Sequence, residues 1–375
     1  MGAFEELSEV AKSLENKYTK QRKERGGKTI GYVCSYVPEE IFYAADILPY
    51  RITGKGVADT ARADAYLTRV NCTFARCVLE LGYNEKYEFL EGAVFMNGCD
   101  HIRRCYDNWK AHEKALPFMY ILPIPHRLTP QGLQWYKEEV SMLKDAVERH
   151  FGVEIKPEKL AEASTMCNET RRLLRRLYDL RLSDAPPFSG AETQTILTAS
   201  SVMPKDKFNE LLSSLLDEAE TRPKAANGKT RLLIAGSLMD DVDFINAVED
   251  LGAVVVTDTL CFGARNVWNL TEESGDPFDA LAERYYYHEP CPRMAGEYKR
   301  RLSFVKDQAE RARVDGAILQ HIKFCDMHGT DNALLKHDLE KEGLPVLELE
   351  RQYGPLADTG RIRTRIQAFL ERIGR

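Results

Sequence analysis

One pattern is written twice along this chain, and it leaves few folds open. Short runs rich in β-branched and aromatic residues alternate with helix-patterned segments, first over the opening third and again over the closing third. Strands that alternate with helices imply βαβ units and parallel sheets. The first set predicts strands at 29–34, 48–53, 92–96 and 118–122. The second predicts strands at 231–235, 253–257, 316–321 and 345–349. Pro38, with Glu39 and Glu40 behind it, opens a helix after the first strand, because proline suits a first turn and carboxylates suit its positive end. The same reading predicts helices at 240–251, 277–284, 299–313 and 333–342, and a last one after Gly360.

The middle of the chain is helical. Thr129 and Pro130 cap and start a helix to about His150, Pro157 starts another, and Pro186-Pro187 breaks it. Helical patterning continues over 192–200 and 205–219. The basic run Arg171–Arg176 reads as a solvated helix face. The expected fold class is therefore α/β, with two doubly wound, Rossmann- or flavodoxin-like parallel sheets and additional helices. The expected division is an N-terminal helical segment (1–26), a first α/β domain (27–127), a helical region (128–227) and a second α/β domain (228–375), which begins after Pro223 and Gly228.

Nine cysteines are distributed over this framework. Cys77, Cys105 and Cys167 fall inside apolar or helical stretches and read as core thiols. Cys34, Cys72, Cys99, Cys261, Cys291 and Cys325 instead recur at element ends, beside Gly, Pro, Asp and Arg. Ligands of open α/β sheets bind beyond the carboxyl ends of the strands. If the two sheet edges face each other, all six thiols converge in one cleft between the domains. Helix starts at Cys72 and Cys99 are expected to lower those thiol pKa values and favour the thiolate that a metal requires. The close Cys pairs of zinc sites are absent, and so are ferredoxin-type runs. Dispersed single cysteines suit a large cluster held across a domain interface.

Composition narrows the function. A net charge of −6 argues against a nucleic-acid binder. No apolar run approaches the length of a membrane span. The opening MGAFEELSEVAKSLENKYTKQRKERG is charged and lacks an apolar signal core, so a cytoplasmic location is expected.

The segments YVCSYVPEEIFYAADILPYRI, NGCDHIRRCYDNW, DTLCFGAR and VDGAILQHIKFCD, with GRIRTRIQAFLERI near the end, resemble the family of 2-hydroxyacyl-CoA dehydratases and benzoyl-CoA reductases. That resemblance implies a [4Fe–4S] cluster on three cysteines, which match Cys72, Cys99 and Cys325. The additional Cys34, Cys261 and Cys291 are similar to those of the family's double-cubane branch, anaerobic homodimers with an [8Fe–9S] cluster on six cysteines in each subunit. By the same resemblance, an ATP-hydrolysing activator with its own [4Fe–4S] cluster delivers low-potential electrons one at a time, and a small molecule is reduced. The chain has neither a P-loop nor a G-x-G-x-x-G motif, in agreement with an electron-accepting component.

Arg103, Arg104, Arg265 and Lys323 follow cluster-type cysteines and could offset cluster charge; their ordinary reading is surface ion pairing. Glu39 is a candidate for the same surroundings, or a plain helix-start carboxylate. His328, three residues past Cys325, is the best-placed proton donor, against the plainer reading of a solvated loop histidine. Two alternatives stand beside the double cubane. One is a single-[4Fe–4S] subunit of a heterodimeric acyl-CoA dehydratase or benzoyl-CoA reductase. The other is a cysteine-rich α/β binding protein without a cluster.

Overall fold

Eight strands form two all-parallel sheets of one plan. β1 (Lys28–Tyr32), β2 (Ile47–Arg51), β3 (Gly92–Met96) and β4 (Phe118–Leu122) lie in the spatial order β2-β1-β3-β4. β5 (Thr230–Gly236), β6 (Ala253–Asp258), β7 (Gly316–Ile322) and β8 (Val346–Arg351) repeat it as β6-β5-β7-β8. The structure is a computed structural model that describes residues 2–222, 228–354 and 359–374. Pro223 and the remaining end of the expected helical region, 224–227, lie outside the described residues.

Parallel sheets need cover on both faces, and the strands show it. β2, β3 and β6 are buried at every position. Their sequences are near-continuous apolar runs such as GAVFM and AVVVTD. In each sheet the winding reverses beside the first strand, between β1 and β3 and between β5 and β7. Those reversals open a crevice at the carboxyl ends of the strands.

Two element boundaries differ from expectation in ways that matter. β1 stops at Tyr32, and the Val37 N–H donates to the Cys34 carbonyl at 3.1 Å. Cys34 thus sits in a turn past the strand. The helix expected from residue 333 starts at Asp326 and runs Asp326–Lys341. Gly329 and Thr330 disguise its first turns, since neither favours a helix interior. The N-terminal segment is two helices, Ala3–Lys12 and Lys17–Glu24. Asn16 divides them and caps the second by accepting from the Tyr18 N–H at 2.9 Å.

The middle helices Pro130–Phe151, Pro157–Leu180, Gly190–Ser200 and Lys205–Asp217 pack against both sheets' flanking helices. Here the expected solvated basic face is only partly real. Arg172 and Arg176 are half-exposed and pair with Glu273 and Asp217. Arg171 is buried, and its Nη2 lies 2.7 Å from Oε1 of the fully buried Glu40. The Tyr285 hydroxyl donates to the other Glu40 oxygen at 2.7 Å. Glu40 is therefore not a solvent-facing helix-start carboxylate. It joins helix Glu39–Ala44, helix Pro157–Leu180 and helix Pro277–Tyr287. Among the described residues, no helix is long and apolar enough to cross a membrane.

Burial alone would raise the pKa of Glu40, but Arg171, Arg284 and the Tyr285 hydrogen bond outweigh it and hold it below the ordinary carboxylate value. A depressed pKa contributes stability above the unfolded-state value of about 4.3, and that contribution is lost as pH falls through the folded value. Arg171→Met should cost about 3–5 kcal/mol at pH 7, because it strands a buried charge. Urea unfolding at several pH values checks this: the gap to wild type should narrow as the medium is acidified below the carboxylate range.

Candidate metal centre

Cys72, Cys99 and Cys325 occupy equivalent places, each the capping residue of a helix. The helices are Thr73–Tyr83, Asp100–Lys110 and Asp326–Lys341. No cap hydrogen bond closes on these sulfurs, but the first N–H groups act on them: Phe74 and Ala75 on Cys72, His101 and Ile102 on Cys99, His328 on Cys325. The Ser237 hydroxyl, which accepts from the Ile322 N–H at 3.2 Å, also faces the Cys325 sulfur. Cys34, Cys261 and Cys291 lie in loops instead.

Mutual electrostatic influence shows how the six group. Cys72 feels Cys325 and Cys99. Cys34 feels Cys261 and Cys291. Cys99 and Cys325 each also feel Cys291, which therefore lies between the two groups. All six are free and partly accessible, whereas Cys77, Cys105 and Cys167 are buried. The structure thus brings the six together across the two sheets. Among the described residues, no three His, Cys, Asp or Glu side chains form a set compact enough for a single ion. A donor set of six dispersed thiols fits a larger, multi-metal group whose sulfurs are soft and anionic.

The expected lowering of the thiol pKa values is corrected by the structure. Burial pushes Cys72 up to about 12 and Cys99 up to about 11, and the helix N–H groups only partly offset it. Burial raises Cys34 and Cys325 as well. Without metal these are thiols, and a cation must take the proton's place.

Two loops are held in unusual geometry. Phe324, just before Cys325, has φ 68°, a left-handed conformation that few non-glycine residues adopt. It is pinned by the Lys323 N–H donating to the Arg351 carbonyl at 2.8 Å and the Cys325 N–H donating to Ile322 at 2.9 Å. At the end of β5, Gly236 has φ 117°, and a Cβ there would lie 1.8 Å from the Gln320 carbonyl oxygen. Only glycine lets β5 turn that close to β7. The Cys261 loop is organised by Asp258, whose Oδ1 accepts from the Leu260 N–H at 2.9 Å and the Ala264 N–H at 3.0 Å.

The candidate polar residues separate clearly. Arg265 is buried, and its charge is favoured by Cys291, Cys261 and Cys34 against the cost of burial. Arg103 is half-buried and Arg104 exposed, and they pair with Asp100 and Asp107, each at 3.1 Å. Lys323 lies over the Phe324 ring at 5.3 Å. Glu39 turns away from the thiols and pairs with Lys205 at 3.3 Å. His328 is buried in the first turn of its helix, not in a solvated loop. Burial first, then Arg265 and Arg301, drive its pKa well below the usual value, so the imidazole is neutral. With Arg265 and Asn332 it lines a cavity of about 30 Å³ beside Pro290 and Pro292. Both amide atoms of the fully buried Asn332 lack a partner.

Sequence reasoning missed Arg51. It is buried at the end of β2 and donates to the Cys261 carbonyl at 2.9 Å and the Cys261 sulfur at 3.3 Å. A charged residue in an apolar strand, at its carboxyl end, was the available signal.

The family described as 2-hydroxyglutaryl-CoA dehydratase, D-component, matches residues 34–373. The chain belongs to this family. The β subunit of (R)-phenyllactyl-CoA dehydratase from Clostridium sporogenes is 26% identical over 98% of both chains. A benzoyl-CoA reductase subunit from Thauera aromatica is 25% identical, over 86% of this chain and 85% of its own. The β subunit of (R)-2-hydroxyglutaryl-CoA dehydratase from Acidaminococcus fermentans is 24% identical, over 98% of this chain and 97% of its own. The match to the dehydratase D-component family begins at Cys34 and takes in all six clustered cysteines.

Asp258→Ala removes the acceptor for two buried N–H groups and should destabilise the metal-free protein by about 2–4 kcal/mol. Chemical denaturation measures it. The Tyr178 hydroxyl, which donates to the same carboxylate, loses its acceptor too and contributes to that figure.

Proposed function

We propose that this chain is the iron–sulfur component of a reductase, with Cys34, Cys72, Cys99, Cys261, Cys291 and Cys325 holding one [8Fe–9S] double cubane. Two α/β domains, 27–127 and 228–375, supply its ligands from either side. The observation that carries the reading is the meeting of Cys34, Cys261 and Cys291 beside the helix-capping thiols, with Cys291 between the groups. Such a group supplies low-potential electrons to a bound small molecule. The protein's own residues do the rest. Arg51 and Arg265 offset thiolate charge, and Asp258 and Gly236 fix the loops. The neutral His328 imidazole, which burial and nearby arginines keep from holding an extra proton, is proposed to donate a hydrogen bond to the bound molecule and not a proton.

The electron source in this proposal is an ATP-hydrolysing [4Fe–4S] activator, because the chain itself has no phosphate-binding motif. A homodimer in the cytoplasm is part of the same reading. The relatives' names favour a second reading, a single-[4Fe–4S] dehydratase or reductase subunit beside a paralogous partner. In that case Cys72, Cys99 and Cys325 would be the only ligands.

Iron and acid-labile sulfide per chain separate the two. Anaerobically purified protein should contain about eight irons, two cubanes of four. About four would remove the double-cubane reading, and none would remove both. Cys34→Ser and Cys291→Ser should each lose about half the iron or more, whereas Cys77→Ala, at a core thiol, should keep it. Full iron in both serine variants would show that those thiols are not ligands.

A further inference from the structure

The two thiol groups sit in unlike electrostatic surroundings, and the difference has a direction. Cys34, Cys261 and Cys291 are backed by two guanidiniums. Arg51, 2% exposed, holds the Cys261 loop through both its carbonyl and its sulfur and stacks over Phe262 at 3.9 Å. Arg265, 6% exposed, lines the cavity bounded by Pro290 and Pro292 on either side of Cys291, and its Nε has no partner. The acidic side chains nearby are engaged elsewhere: Glu39 with Lys205 and Glu40 with Arg171. Glu289 lines the same cavity as Arg265 but makes no ion pair with it. Arginine keeps its charge when buried, so both charges face sulfur, and the Arg265 charge is also felt by Glu289 across the shared cavity.

The surroundings of Cys72, Cys99 and Cys325 carry only partial charge. Each helix start is equivalent to roughly half a positive charge, or about 1.5 for the three. Asp326, in the first turn beside Cys325, opposes it with a carboxylate, while Asp100 beside Cys99 is paired with Arg103 at 3.1 Å. Both carboxylates are exposed. Arg351 also acts on Cys72, but it is shared with Gln320 and Asp241. The balance is a partial positive charge on this side and about two full positive charges on the other.

We propose that Arg51 and Arg265 set the direction of electron movement within the site. They make the Cys34–Cys261–Cys291 side the one that holds an added electron, and leave the Cys72–Cys99–Cys325 side as the point of entry. This rests on the two-sided iron–sulfur reading above. The step is a one-electron transfer from an external low-potential donor, which is oxidised by one electron. With the group bound by these thiols, the added electron would rest on the side backed by Arg51 and Arg265, with no bond formed or broken and no proton moved. Arg51 and Arg265 act through charge and are positioning residues.

The test is a redox titration of anaerobic holoprotein followed by electron paramagnetic resonance, with iron measured on each sample. In Arg265→Gln and Arg51→Gln, iron should stay at the wild-type level. One of the two reduction waves should move negative by at least a tenfold change in the reduced-to-oxidised ratio at fixed potential, about 59 mV for one electron. Both variants should move the same wave. Arg265→Lys, which keeps the charge, should stay close to wild type. Ser237→Ala, which removes a hydroxyl facing Cys325, should move the other wave. If neither arginine variant moves a wave with iron intact, or all three neutral variants move the same one, the proposal fails. A shift in Arg265→Lys equal to that in Arg265→Gln would also overturn it. Wild-type protein with about four irons would instead remove the underlying reading.

Discussion

The reversal of winding beside β1 and beside β5 is the constraint on which the rest depends. A parallel sheet cannot turn its chain back at its own edge, so the connections must leave from the carboxyl ends and cross a face. Where the direction of crossing changes, the loops part and a crevice remains. This chain makes that crevice twice and turns the two toward each other. Contacts across the divide are numerous: Arg51 at the end of β2 meets the loop after β6, the Gly54 N–H donates to the Tyr353 hydroxyl at 3.0 Å, and Arg293 donates to carbonyls of Asn97 and Ile124. Three helix starts and three loops, each carrying one thiol, are brought to one place.

The sheets were legible because burial on both faces forces apolar runs, and such runs are visible in sequence. The strands 92–96 and 118–122 were read to the residue. Positions that depend on partners far along the chain were not legible. Arg171 looks solvated because its neighbours Arg172 and Arg176 are, and nothing local announces that Glu40, 131 residues away, is its partner. Cys325 looked like a loop residue because Gly329 and Thr330 mask the helix it caps. The clustering of the cysteines could be read from where elements end. The arginine that touches one of them showed only as a charge at the end of an apolar strand, and its partner on the other sheet was not visible there.

The surroundings of the cleft carry an unusual load of buried charge. Arg51, Arg171, Arg265, Arg284 and Arg293 are all nine-tenths buried or more, with Glu39, Glu40, Asp258 and Asp331 among the buried carboxylates. Arg284 and Arg293 donate to backbone carbonyls, but Arg284 Nη1 and Arg293 Nε have no partner. A fold selected for stability alone would do better with apolar side chains in such places. Under the proposed function, an anionic group held by the six thiols would account for Arg51 and Arg265.

Capping by Cys325 also has a consequence for the protein's biogenesis. That residue is contributed by the last quarter of the chain, while Cys34 comes from the first tenth. During synthesis the early thiols leave the ribosome long before their counterparts exist. A group held by all six thiols, as proposed, would therefore be complete only once the last of them has been made, so its loading would depend on a chain that has brought the thiols of both sheets together.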